Sequence, residues 1–72
     1  MTARHATRGV LLYYLRTAGE ARNITAITRH MRRRHGVSPG ATRTQLWRLC
    51  RAGLVERVGV GEYRVAPARN VA

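Results

Sequence analysis

Gly36-Val37-Ser38-Pro39-Gly40-Ala41-Thr42-Arg43-Thr44-Gln45-Leu46-Trp47-Arg48-Leu49 is the stretch on which the fold of this 72-residue chain turns. Ser38 is a residue type whose side-chain oxygen caps a helix. Pro39 suits the first helical position, where its missing N–H has no partner to lose. Leu46 and Leu49 mark the buried face of a helix running from Pro39 to Ala52, with Thr42 and Gln45 near that face. Gly53 stops it, and Leu54 can pack back on Leu49 across the stop. Upstream, only Gly36-Val37-Ser38 stand between this helix and the one before it, so two helices meet at a tight turn.

Further upstream, Ile24, Ile27 and Met31 form an i, i+3, i+7 stripe. Asn23 or Thr25 can cap that second helix, and His35-Gly36 ends it with Val37 folding back towards Met31. Arg29, Arg32 and Arg33 fall off the stripe and give the helix a basic outer face. Glu20 to Asn23 reads as a polar connection. Before it, Leu11, Leu12, Leu15 and Ala18, with Tyr14 beside them, predict a first helix from Thr7 to Ala18 that ends at Gly19. Downstream, Leu54-Val55-Glu56-Arg57-Val58 and Glu62-Tyr63-Arg64-Val65 are β-branched or aromatic runs flanking Gly59-Val60-Gly61, which predicts a tight hairpin. Residues 1–6 are expected to be a flexible basic arm, 7–65 a single domain and 66–72 a flexible tail. The order of elements is that of an α+β winged helix-turn-helix: three helices followed by a two-stranded β-hairpin wing.

Fourteen basic residues, all arginine, face three acidic ones, all glutamate, for a net charge of +11. Self-repulsion at that density favours a polyanionic partner, and arginine's planar fork matches phosphate. A GC-rich genome explains arginine in place of lysine but not the scarcity of acids. Nucleic acid is the first partner class, ahead of an anionic membrane surface or an acidic protein. Catalysis has little to build on: there is no aspartate, the three histidines have no cysteine or carboxylate constellation around them, and Gly59-x-Gly61 is a turn. The expectation is therefore no enzyme, no metal and no cofactor. Cys50, the single cysteine, reads as a small apolar residue beside the core, and it points to a cytosolic setting without disulfides. The longest apolar run, Val10 to Leu15, is too short to span a membrane. No secretory-signal pattern is expected, because Arg4, His5 and Arg8 lead directly into a helix-like segment.

Residues 9–55 resemble the winged helix-turn-helix domain of PadR-like transcriptional regulators. The resemblance is carried by Ser38-Pro39-Gly40 followed without gaps by Leu46, Arg48, Leu49, Gly53, Leu54 and Val55, and more weakly by Arg8-Gly9 and the leucine-rich first helix. In that family a similar Ser-Pro-Gly opens the recognition helix, and a Leu-x-x-Leu run ends in Gly-Leu before the wing. The chain departs from the pattern at Arg43, where the family commonly carries an aromatic, and at Thr44, where it carries proline. Within these 72 residues there is no counterpart of the family's long C-terminal dimerisation helix. The resemblance implies double-stranded DNA as the partner, transcriptional regulation as the role, and Ser38 and Gly40 at the DNA-facing start of the recognition helix.

A helix of this kind fits the major groove of B-form DNA, with residues near its N-terminus reaching base edges. The outward positions of 39–52 are Ala41, Arg43, Thr44, Trp47, Arg48 and Arg51. Arg43 is the first candidate for reading bases, through a bidentate contact to guanine. Gln45 either reads adenine or is a boundary residue bonding locally. Thr44 and Ser38 suit phosphate contacts at the helix start, and Ser38 also serves as cap. Trp47 has two readings: over a sugar–phosphate edge, or packed against the first helix or a second subunit. Arg29, Arg32, Arg33 and Arg34 are expected to approach the backbone beside the groove, and Arg57 and Arg64 to touch it from the wing. Glu56 and Glu62 sit where they can pair with these two arginines. Beside a sequence-specific regulator stand two alternatives: a non-specific nucleoid protein, and an RNA-binding or protein-interaction winged helix. The expected setting is the cytoplasm, at the nucleoid, or a host's cytoplasm if the chain is viral. Dimerisation through the first helix and the tails is compatible with the small footprint of one module.

Overall fold

The computed structural model describes residues 3–67, with side chains from residue 7 onward. It is α+β: helices α1 (Ala3–Ala18), α2 (Ile24–His35) and α3 (Pro39–Arg51), with strands β1 (Arg22–Asn23), β2 (Val55–Gly59) and β3 (Glu62–Val65). The strands form a three-stranded antiparallel sheet in the order β1-β3-β2.

Leu11 and Leu15 from α1, Ile27 and Met31 from α2, Leu46 and Leu49 from α3, and Val55 from β2 are all sealed from solvent and form one core. Each such side chain contributes about 1.5–3 kcal/mol relative to an exposed one. Thr42 is equally buried, and its hydroxyl donates to the Ser38 carbonyl at 3.0 Å, so the core carries a polar group without an unmet hydrogen bond. β3 lies against α1 and β2 against α3, so the sheet closes the side of the helical layer that α2 leaves open.

Local chemistry sets the helix ends. Asn23 caps α2, its Oδ1 accepting from the Thr25 N–H at 2.7 Å. Gly36 ends α2 in the left-handed region at φ 65°, its N–H donating to the Arg32 carbonyl and the Val37 N–H to that of Met31. Two residues later Ser38 caps α3, Oγ accepting from the Ala41 N–H at 3.2 Å, with Pro39 opening the helix. Leu54 donates to the Leu49 carbonyl beyond Gly53, closing α3 in the same manner as α2.

Two expectations need correction. The helix expected to begin at Thr7 begins at Ala3, inside the segment read as a flexible arm. Nothing in Ala3-Arg4-His5-Ala6 breaks a helix, and no capping residue marks Thr7 as a start. Residues 1 and 2, and the tail from 68 to 72, lie outside the described residues. The sheet expected as a two-stranded hairpin has a third strand, because Arg22 and Asn23 pair with Tyr63 and Glu62. Those two residues carry no strand signal. Their pairing is imposed by the chain's path back into α2, where the Ile24 N–H donates to the Gly61 carbonyl at 2.6 Å.

Candidate nucleic-acid interface

The exposed face of α3 is built by the helical period. With Thr42, Leu46 and Leu49 turned inward, Arg43, Thr44, Trp47, Arg48 and Arg51 are left outside, and all five are exposed. Gly40 and Ala41 expose the first turn of the same helix, beside the cap Ser38. The helix is therefore an open ridge on the molecule, fixed from behind by Thr42, Leu46 and Leu49. Gln45 lies half-buried at the edge of this face, as a boundary residue does.

The two hydroxyls at the start of α3 differ in what they can offer an anion. Ser38 Oγ accepts from a backbone N–H and keeps its own proton available. Thr44 donates its proton to the Gly40 carbonyl at 3.0 Å, so a phosphate contact from Thr44 requires that bond to be given up. The positive end of the helix dipole lies beside Ser38, but Pro39 has no N–H and those of Ala41 and Thr42 are held by Ser38, so the first turn offers an anion the N–H of Gly40.

Trp47 is 59% exposed, so of its two readings the structure removes only packing against the first helix and leaves the surface role open. Its ring instead borders a groove of about 460 Å³ between α3 and the hairpin, which is also lined by Ile24, Arg43, Cys50, Arg57 and Tyr63. Arg51 lies over the indole, its guanidinium carbon 4.8 Å from the ring centroid. The reason is geometric: Trp47 follows Leu46 by one residue, a rotation of about 100° that carries it off the buried stripe and towards the sheet.

The hairpin divides its arginines. Val55 pairs with Val65, Arg57 with Tyr63 and Glu56 with Arg64, so successive pairs alternate between the two faces of the sheet. Arg57 falls on the face that meets α3, and its Nε donates to the Gly59 carbonyl at 3.2 Å, bracing the turn. Arg64 falls on the other face, where its Nε donates to Glu56 at 2.6 Å in an exposed ion pair. Arg57 thus joins the α3 face, while Arg64 lies on the opposite face of the hairpin. The hairpin turn itself is apolar, with Val60 91% exposed between Gly59 and Gly61.

The arginines of α2 also separate. Arg29, Arg32 and Arg33 line one shallow recess on the outward face of the helix. Arg34 lies a further 100° or so around, towards α1, where it borders a recess with Tyr13, Tyr14, His30 and His35. There His30 stacks on Tyr14 with ring centroids 3.9 Å apart, and His35 meets His30 edge-on at 5.6 Å. Burial, reinforced by His35 and Arg34, pushes the His30 pKa down. Arg22, which the sequence reading left in a polar connection, is half-buried with its Nε lacking a hydrogen-bond partner among the described residues.

The groove brings in residues that the sequence reading had not assigned to a site: Ile24, Cys50 and Tyr63. A signal for Tyr63 was present, since strand alternation puts it on the face of Val65. For Ile24 there was none, because its place depends on the β1–β3 pairing. Burial pushes the Cys50 thiol up, with Arg57 opposing, so the group stays a neutral thiol rather than a nucleophilic thiolate. Among the described residues no three His, Cys, Asp or Glu side chains gather as a metal site, and no helix is long and apolar enough to cross a membrane. Comparison with protein-family models, with curated proteins and with solved structures finds no match for this chain.

Proposed function

We propose that this chain is a winged helix-turn-helix domain that binds double-stranded DNA, with α3 in the major groove and the β2–β3 hairpin as its wing. The observation that carries the reading is the open, arginine-rich face of α3, flanked across one groove by Arg57 of the hairpin. A ridge of this kind has the width that a B-form major groove admits. Arg43, in its second turn, is where a recognition helix reads bases, and Ser38 and the first turn suit a phosphate. Arg29, Arg32 and Arg33 supply further phosphate contacts from α2. The PadR-like Ser38-Pro39-Gly40 opening supports the same reading and with it a role in transcriptional regulation.

The test is selection of bound duplexes from a random DNA pool, followed by competition with duplex RNA of the selected sequence. A-form RNA has a major groove too narrow for a helix, so DNA should win by a wide margin. Enrichment of a motif identifies a sequence-specific regulator, and a palindrome within it identifies a two-fold dimer. Binding without enrichment identifies an architectural protein that contacts mainly phosphates. RNA winning the competition would remove the groove model.

A further inference from the structure

The groove between α3 and the hairpin has a composition that duplex binding does not call for. Its floor is apolar, formed by Ile24 and Leu46, and Cys50 adds a neutral thiol. Two aromatic rings border it, Trp47 from α3 and Tyr63 from β3, and two guanidiniums stand at it, Arg43 and Arg57. Its volume, about 460 Å³, is in the range of small-molecule sites. Arg51 takes one face of the Trp47 indole, and no other aromatic ring stacks on that indole among the described residues. A simple phosphate would leave the rings unused. An apolar ligand would strand two charges, which is costly in a concave site. A planar ring joined to an anion satisfies both sets of groups.

We propose that this groove binds a single nucleotide, the base stacked against Trp47 and Tyr63 and the phosphate held by Arg57. Base-on-aromatic stacking beside a cationic track is how proteins hold unpaired nucleotides, and it tolerates any base because every base has a flat face. The same chemistry can come from a free nucleotide or from an unpaired nucleotide of a DNA strand. The site stands whether or not α3 enters duplex DNA, since none of its groups needs a groove to act on.

Trp47 is the single tryptophan of the chain, so its fluorescence reports on this site. The full chain is titrated with GMP, with guanosine and with ribose 5-phosphate. Saturable quenching by GMP is expected, with a midpoint about tenfold or more below that of either fragment. By equilibrium dialysis, Trp47→Leu and Arg57→Ala should each weaken GMP about tenfold. Arg8→Ala, which removes an equal charge from the exposed side of α1, should leave it unchanged. Trp47 is exposed, and far-UV circular dichroism checks that its variant stays folded. A second arm compares a blunt duplex with the same duplex carrying one unpaired 3′ nucleotide. Tighter binding of the overhung duplex assigns the nucleotide to a strand; equal binding of the two with tight GMP assigns it to the free pool. GMP no tighter than ribose 5-phosphate, together with equal affinity for the two duplexes, would overturn the site. Equal losses from Arg8→Ala and Arg57→Ala would overturn it too, since they would mean diffuse charge attraction. Binding of the blunt duplex scores the duplex-binding proposal separately.

Discussion

At the scale of single residues, the proposed function divides the arginines into those that would meet bases and those that would meet phosphates. Arg43 is exposed on the wing side of α3, and Arg32 on the outward recess of α2. Arg43→Ala should relax base preference, losing about 1–3 kcal/mol of discrimination at one position of a selected site. Arg32→Ala should weaken all duplexes alike and reduce the slope of log affinity against log salt by about 0.9. Identical titration behaviour of the two variants would contradict the assignment. His30 makes a different residue-scale prediction. Its pKa is lowered in the fold, so below the ordinary imidazole value of about 6.5 the unfolded chain takes up the proton first. Stability should be flat above that value and should fall as the pH drops through and below it. His30→Phe keeps a flat ring on Tyr14 and should flatten the decline between about pH 7 and pH 5, read from urea midpoints. An unchanged decline in the variant would locate the effect elsewhere.

At the scale of elements, α3 depends on its cap. Ser38→Ala should cost about 1 kcal/mol in urea unfolding, and Ser38→Gly only a few tenths. The reverse order would mean that the Ser38 hydroxyl is not capping the helix. Helices were the most legible elements of this chain, because each apolar stripe repeats at helical spacing and is bounded by local signals: Asn23, Gly36, Ser38, Pro39 and Gly53. The hairpin was legible through its alternation and its glycines. Gly61 shows the limit of that legibility. Its φ of 68° suits a tight turn, as the sequence suggested, but a Cβ there would also stand 3.3 Å from the Ile24 side chain. That second constraint comes from α2, and no local pattern encodes it. The β1 strand is the same case: two residues become strand only because β3 passes beside them.

At the scale of the whole molecule, charge opposes folding and favours a polyanionic partner. A net charge of +11 on 72 residues repels itself, with Glu56 on Arg64 a small local offset. Raising salt from about 50 to about 500 mM shortens the screening length from about 14 Å to about 4 Å. Thermal stability should therefore rise with salt while duplex affinity falls steeply, a pair of opposite trends measurable in one buffer series. A fall in both would mean that ion pairs, not repulsion, dominate the folded surface. By itself the sequence determined α2 and α3, the existence of α1 though not its start, the turn between α2 and α3, the buried aliphatic stripe and the outward face of α3. All of these follow from periodicity and from side chains acting on their own backbone within a few residues. Only the tertiary structure decided which arginines share a surface. Arg57 joins Arg43 and Trp47 while Arg64 turns to Glu56, and Arg34 leaves the other α2 arginines for His30. Those groupings are set by strand register and helix packing, which bring together residues far apart in the chain and so leave no trace in any local pattern.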